Sequence, residues 1–362
     1  MKHCYRYSAM RRLVALLLLA TAPAAFAAKR HAVGSQPPEL AVPAADSIAA
    51  TAIAGGVPGL SIAVRKGDLT FARAYGLFDR EAGIPARTDT VFSIGSVTKQ
   101  FTAAAILRLE EQGKLSIDDR ARKFLPELDA RFDAITIRQM LLHTSGLGNY
   151  VEKVTNVTDP KTHQEIFAMI TGSALLFPAG SSWQYSNSGY FLLGMIVERA
   201  SGQTWEQYLR DQFFTPMGLR STSPCGETAP APRGYTAQPG GPVTLDSVAD
   251  PSLTWAAGGI CSTASDLLRW NTSLVASPLH ARMIGEGFPA IPGAYYGYGL
   301  IIDTFEGRVR VWHAGTVPGF TTYLLWFPAE KISVVVMMNL NTDRDDYADD
   351  AADALARSLF GK

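Results

Sequence analysis

Several features are missing from this 362-residue sequence, and each absence removes a class of function. There is no basic cluster, and 33 Lys and Arg balance 33 Asp and Glu. The electrostatic footprint of a nucleic-acid binder is therefore lacking, and no nucleic-acid partner is expected. No stretch approaches 18 uninterrupted apolar residues, so no membrane span is expected in the mature chain. The six histidines (His3, His31, His143, His163, His280 and His313) show neither H-x-x-x-H nor H-E-x-x-H spacing, which argues against a metal site. Three cysteines are too few for a disulfide scaffold. The 21 Pro and 32 Gly are scattered and no internal repeat occurs, which excludes collagenous and low-complexity classes.

What is present reads as a globular enzyme. Hydrophobic residues make up 47%, charged residues 18% and aromatics 10%, unlike a disordered chain. Lys2, Arg6, Arg11 and Arg12 precede a short apolar run, Leu13 to Ala20, and Ala25-Phe26-Ala27 offers a small-x-small cleavage site. That order predicts a secretory signal peptide over 1–27 and a mature domain over 28–362, periplasmic or secreted. Removing the leader takes four basic residues and no acidic ones, leaving a mildly acidic protein. Cys4 leaves with it. An oxidising compartment would permit a disulfide between Cys225 and Cys261, but their spacing alone leaves that open.

The pattern along the chain predicts an α+β domain. Pro38 to Ala54 reads as a helix, and Leu60 to Arg65 with Leu69 to Tyr75 as a hairpin. Ser96 to Gln112 reads as a helix stopped by Gly113. A mainly helical stretch follows over about 118–289, including Ala264 to Val275. Then come four strand-like runs (Tyr298 to Asp303, Arg308 to His313, Thr321 to Phe327, Ile332 to Asn339) and a closing helix, Asp343 to Phe360. Early strands can pair with late ones in one mostly antiparallel sheet, about 38–117 with 290–362, and the helical region is inserted between them.

The chemistry concentrates at Ser96-Val97-Thr98-Lys99. Three residues apart on a helix, a hydroxyl and an amine share a face. A serine is a weak nucleophile that needs a neighbouring base, and a lysine serves if burial keeps part of it neutral. S-x-x-K alone is common by chance, but it has companions. Tyr185-Ser186-Asn187 follows, then His313-Ala314-Gly315-Thr316 at the end of a strand-like run. In this order the three motifs resemble the serine β-lactamase and penicillin-binding-protein superfamily, with class C β-lactamases, DD-peptidases and related esterases nearest. Leu141 to Leu147 and Gly258 to Leu267 look like that family too, and the resemblance spans about residues 40–360.

The resemblance implies an acyl-enzyme on Ser96, with Lys99 and Tyr185 as its acid–base partners and no cofactor. Asn187 would bond Lys99 or the substrate amide, and His313, Gly315 and Thr316 would line the substrate and oxyanion side. A free tyrosine titrates near ~10, so Tyr185 could act as a base only if cations lowered that value. His313 stands where β-lactamases usually keep a lysine, and a histidine is charged only part of the time near neutral pH. The resulting order of activities is D-alanyl-D-alanine carboxypeptidase or D-amino-acid amidase first, then small-ester hydrolase, then β-lactamase. A slowly turning over penicillin-binding or sensing module is the alternative from another class. The expected partner is a small molecule or a peptidoglycan-derived peptide. Glu152 and Asn156 spell E-x-x-x-N before rather than after Tyr185-Ser186-Asn187, which makes the match a coincidence. His143-Thr144-Ser145-Gly146 reads as a helix end and turn.

Overall fold

The computed structural model describes residues 39–227, 231–238, 241–246, 248–342 and 347–361; the leader expected over 1–27 lies outside the described residues. Helix α1 (Ala44–Ala54) leads into β1 (Gly59–Lys66), β2 (Leu69–Asp79) and the short β3 (Ile84–Pro85). The late strands are β4 (Phe288–Ile291), β5 (Ala294–Tyr296), β6 (Ile301–Phe305), β7 (Arg308–Val317), β8 (Phe320–Phe327) and β9 (Ile332–Met338). They join in one nine-stranded antiparallel sheet of order β3-β2-β1-β9-β8-β7-β6-β5-β4. The early hairpin meets the late meander where β1 pairs with β9, in the register Ile62 to Val336. The α+β architecture expected from the element order is the one observed.

The central strands are apolar on both faces because both faces are covered. All seven residues of β9 are buried. Its side chains alternate, as pleating requires: Val334 and Val336 face one core cluster, Val335 and Met337 the other. The first cluster lies under α1 and α7 (Tyr347–Leu359), and includes Ala45, Ala49, Leu355 and Ala356. The second, larger cluster joins the opposite face to the helical region through α2 (Thr98–Glu111), α4 (Asn187–Ser201), α5 (Trp205–Leu209) and α6 (Ala264–Val275). Helix α6 packs against β1 and β9 although it sits in the chain's helical stretch. The stretch Thr98–Leu107 of α2 is entirely shielded from solvent or nearly so, which makes it the fixed axle between the two halves.

A three-stranded patch braces the start of α2. Phe92–Ser93 pairs with Ile260–Ser262, which pairs in turn with Ser223–Pro224. Cys225 and Cys261 are joined by a disulfide across this patch, with Cα atoms 4.8 Å apart. That contact between residues 36 positions apart answers the question their spacing left open.

Candidate active site

Ser96 sits on a 3-10 turn, Gly95–Val97, and α2 begins only at Thr98. The sequence pattern predicts helix from Ser96 itself. The difference comes from Gly95, whose φ of +49° turns the chain just before the serine. The Ile94 N–H donates to the Ile260 carbonyl at 3.0 Å, so the braced patch holds this turn in place.

Lys99 lies one turn on and is fully buried. Its Nζ donates to Ser96 Oγ at 3.0 Å, to Asn187 Oδ1 at 2.7 Å and to the Ala257 carbonyl at 2.7 Å. Asn187 is the first residue of α4, and its Nδ2 donates to Asn149 Oδ1 at 3.3 Å. None of the three groups on Nζ carries a formal negative charge, so no counter-charge offsets the loss of hydration. Burial therefore drives the Lys99 pKa well below 10.5. The neutral amine is accessible here as it would not be on a surface.

The Tyr185 hydroxyl faces Ser96 closely enough to interact with it. Lys99 Nζ lies 4.8 Å from the centre of the Tyr185 ring and 5.6 Å from that of Tyr190. Cations do not lower the Tyr185 pKa as its proposed action as a base required. Burial pushes it up, and the nearby Ser96 hydroxyl only partly opposes that, so the phenol keeps its proton. The order of the two groups is thereby inverted: Lys99 gives up a proton more readily than Tyr185.

The end of β7 closes the other side. A Cβ on Gly315 would fall 1.9 Å from the Ile94 oxygen and 3.0 Å from the Ser96 nitrogen; one on Gly95 would fall 2.9 Å from the Thr316 nitrogen. The two segments lie backbone against backbone, which only glycine permits. Ser96, Asn187 and Thr316 all line a cleft of about 170 Å³. Much of its lining is apolar, with Val151, Val154, Val157 and Leu253 among the residues that form it.

His313 departs from its expected part-time charge. It is buried, and Nδ1 lies 2.5 Å from the Ala314 carbonyl, which can only accept, so Nδ1 carries the proton. Nε2 then accepts from the Tyr296 hydroxyl at 3.0 Å. Burial, with Lys99 nearby, lowers its pKa from 6.5 to about 3, so the ring is neutral. Both nitrogens are spoken for within the protein. Glu152 and Asn156 are exposed, and Asn156 is engaged with Thr158 and Asp159.

The family model described as Beta-lactamase matches residues 44–358. The chain belongs to the beta-lactamase family. A penicillin-binding protein of Bacillus subtilis is 27% identical over 331 residues, 84% of this chain and 72% of that protein. Flp of Staphylococcus aureus is 29% identical over 80% of this chain, which spans 61% of Flp. Among solved structures, a D-amino acid amidase from Ochrobactrum anthropi SV3 superposes with a TM-score of 0.80 at 25% identity, covering 88% of this chain and 97% of that one. Like these beta-lactamase-fold relatives, the chain is a serine hydrolase. No helix among its described residues is long and apolar enough to cross a membrane.

In this beta-lactamase-family chain, every residue expected at the site converges on one cleft or its immediate backing. Four more were not foreseen: Asn149, the Ala257 carbonyl, Tyr296 and His143. The first two act through contacts distant in sequence. Tyr296 stands with Tyr295 and Tyr298 around Gly297, a sequence pattern that suits a cleft lining but is more often plain core or edge. For His143 the signal was present in His143-Thr144-Ser145-Gly146, but the reading as a turn accounted only for its backbone.

Proposed function

We propose that the chain hydrolyses an amide or ester through an acyl-enzyme on Ser96. The observation that carries this reading is the bonding of Lys99. A neutral amine has two N–H donors and one lone pair. Asn187 Oδ1 and the Ala257 carbonyl are acceptors and take both donors. The lone pair is left to the Ser96 hydroxyl, 3.0 Å away. Lys99 withdraws that proton as Oγ bonds to the substrate carbonyl carbon and an electron pair moves onto oxygen. The N–H groups of Ser96 and Thr316 would receive this oxyanion, each contributing ~3 kcal/mol to the transition state. Tyr185, held as a phenol, gives its proton to the leaving nitrogen or oxygen as that bond breaks, and regains one from Lys99. Water then attacks the acyl carbon, its proton passing to the same pair, and Ser96 leaves as the hydroxyl.

The cleft narrows the substrate. None of the described residues lining it is charged, and its wall of Val151, Val154, Val157 and Leu253 suits an apolar acyl side chain. With His313 neutral and internally bonded, β7 presents no cation there for a terminal carboxylate. A D-amino-acid amide is therefore preferred over a D-alanyl-D-alanine peptide, in line with the likeness to the D-amino acid amidase. Small esters are the second reading, favoured by the same uncharged wall. The leader motif, with a disulfide that persists in an oxidising compartment, supports export to the periplasm or beyond. Side-by-side rates on D-phenylalaninamide, a D-alanyl-D-alanine peptide and nitrophenyl acetate, with Ser96→Ala as control, test the ranking. Amide or ester turnover should exceed carboxypeptidase turnover; the reverse order would overturn it.

A further inference from the structure

Behind Tyr185 stands a packed group of rings that the reaction as written does not use. His143 is at its centre, buried and at a φ of +59°. It follows α3 (Ile137–Leu141) and its cap Leu142, at the position where a helix turns left-handed and Gly or Asn is usual. The turn is a complete one: the His143 N–H donates to the Met140 carbonyl and the Thr144 N–H to the Gln139 carbonyl. Backbone geometry alone would therefore favour a smaller residue here.

The ring and carbonyl of His143 grip one short segment from three directions. The carbonyl accepts the Gln184 N–H at 3.0 Å. Nδ1 accepts the Ser186 N–H at 3.2 Å. The imidazole lies against the Tyr185 ring, with centres 4.4 Å apart, and against Tyr296 at 4.5 Å and Tyr190 at 5.1 Å. Since Nδ1 accepts, the proton of the neutral ring is on Nε2, which is buried without a hydrogen-bond partner. Burial, with Lys99 and His313 nearby, keeps the ring from charging. A buried N–H left unmatched is a cost that ordinary core packing would avoid.

We propose that His143 is the positioning residue for Tyr185, clamping the residues on either side of it so that the phenol hydroxyl meets Ser96. This rests on the reading above that Tyr185 relays a proton. The His143 ring need not touch substrate; it acts by removing freedom from the Gln184–Ser186 backbone and from the Tyr185 ring.

A double-mutant cycle tests it, with kcat and KM measured for His143→Ala, Tyr185→Phe and both together. His143→Ala should lower kcat about 30-fold with KM little changed, whereas in the Tyr185→Phe background it should cost less than about 3-fold. His143→Asn suits the left-handed backbone and can offer Oδ1 to the Ser186 N–H, so it should recover several-fold of the loss. The Asn variant also carries the cycle should the Ala variant not fold. Equal losses in both backgrounds would make His143 a fold element only and overturn the proposal, as would a full wild-type kcat in His143→Ala. An unchanged rate in Tyr185→Phe alone would instead overturn the relay on which the proposal rests.

Discussion

Replacing Lys99 by Met should change the pH dependence of stability as well as activity. The ammonium of Lys99 is disfavoured by burial in the folded chain, so its pKa there lies well below 10.5. Below the folded value both folded and unfolded chains carry the proton, and the full burial penalty acts. Between the folded value and 10.5 the unfolded chain holds one more proton, so stability rises with pH by about 1.4 kcal/mol per unit. Above 10.5 the dependence ends. Met has no such group. Exchanging a buried charge for an apolar side chain is neutral to stabilising by about 1–4 kcal/mol. Against this stands the buried Ala257 carbonyl, left without its 2.7 Å donor, at about 1–3 kcal/mol. Asn187 Oδ1 and Ser96 Oγ are half-buried at the cleft, where water can replace Nζ. The two effects nearly cancel at low pH, so the diagnostic quantity is the slope. Urea unfolding followed by circular dichroism from pH 6 to 9.5 should show wild type gaining on Lys99→Met as pH rises, while hydrolysis by the variant is reduced about 10²–10⁴-fold. Parallel stability curves, with no change in the difference over that range, would refute the claim that Lys99 is desolvated.

Gly315→Ala places a methyl 1.9 Å from the Ile94 oxygen, backbone against side chain, and the segments must separate. A fall in kcat/KM of about 10²-fold, with a stability loss of about 1–3 kcal/mol, is expected from steady-state kinetics and thermal melts. Replacing Cys225 and Cys261 together by Ser opens a loop of 36 residues' separation and should cost about 2–4 kcal/mol in urea unfolding. A reductant should bring the wild-type midpoint to that of the variant; an unchanged midpoint in both would mean the bridge does not form.

Much of the site was legible because local rules govern it. Ser96 and Lys99 are three residues apart, and a helix or a 3-10 turn running into one brings such a pair together. Helix α6 runs over Ala264–Val275 as its pattern predicts, with Thr263 as a side-chain cap accepting the Asp266 N–H. The run Ile332 to Asn339 likewise reads as a strand, and β9 occupies Ile332–Met338 of it. What remained hidden depends on burial and on distant contacts. The charge state of His313 is decided by burial and by Lys99, and its tautomer by Tyr296 and the Ala314 carbonyl; composition gives no hint of these contacts. The Ala257 carbonyl lies 158 positions from Lys99 and has no side-chain signature at all. His143 looked like a turn residue because its backbone is one; its ring matters only once Tyr185 is folded against it.

The central claim is an acyl-enzyme on Ser96, and intact-protein mass spectrometry with peptide mapping tests it most directly. Enzyme mixed with a penicillin or a nitrophenyl ester, and quenched over time, should gain the mass of the acyl group on the peptide that carries Ser96. Ser96→Ala should gain none and hydrolyse neither compound. Turnover without any adduct, persisting at the wild-type rate in Ser96→Ala, would contradict the account.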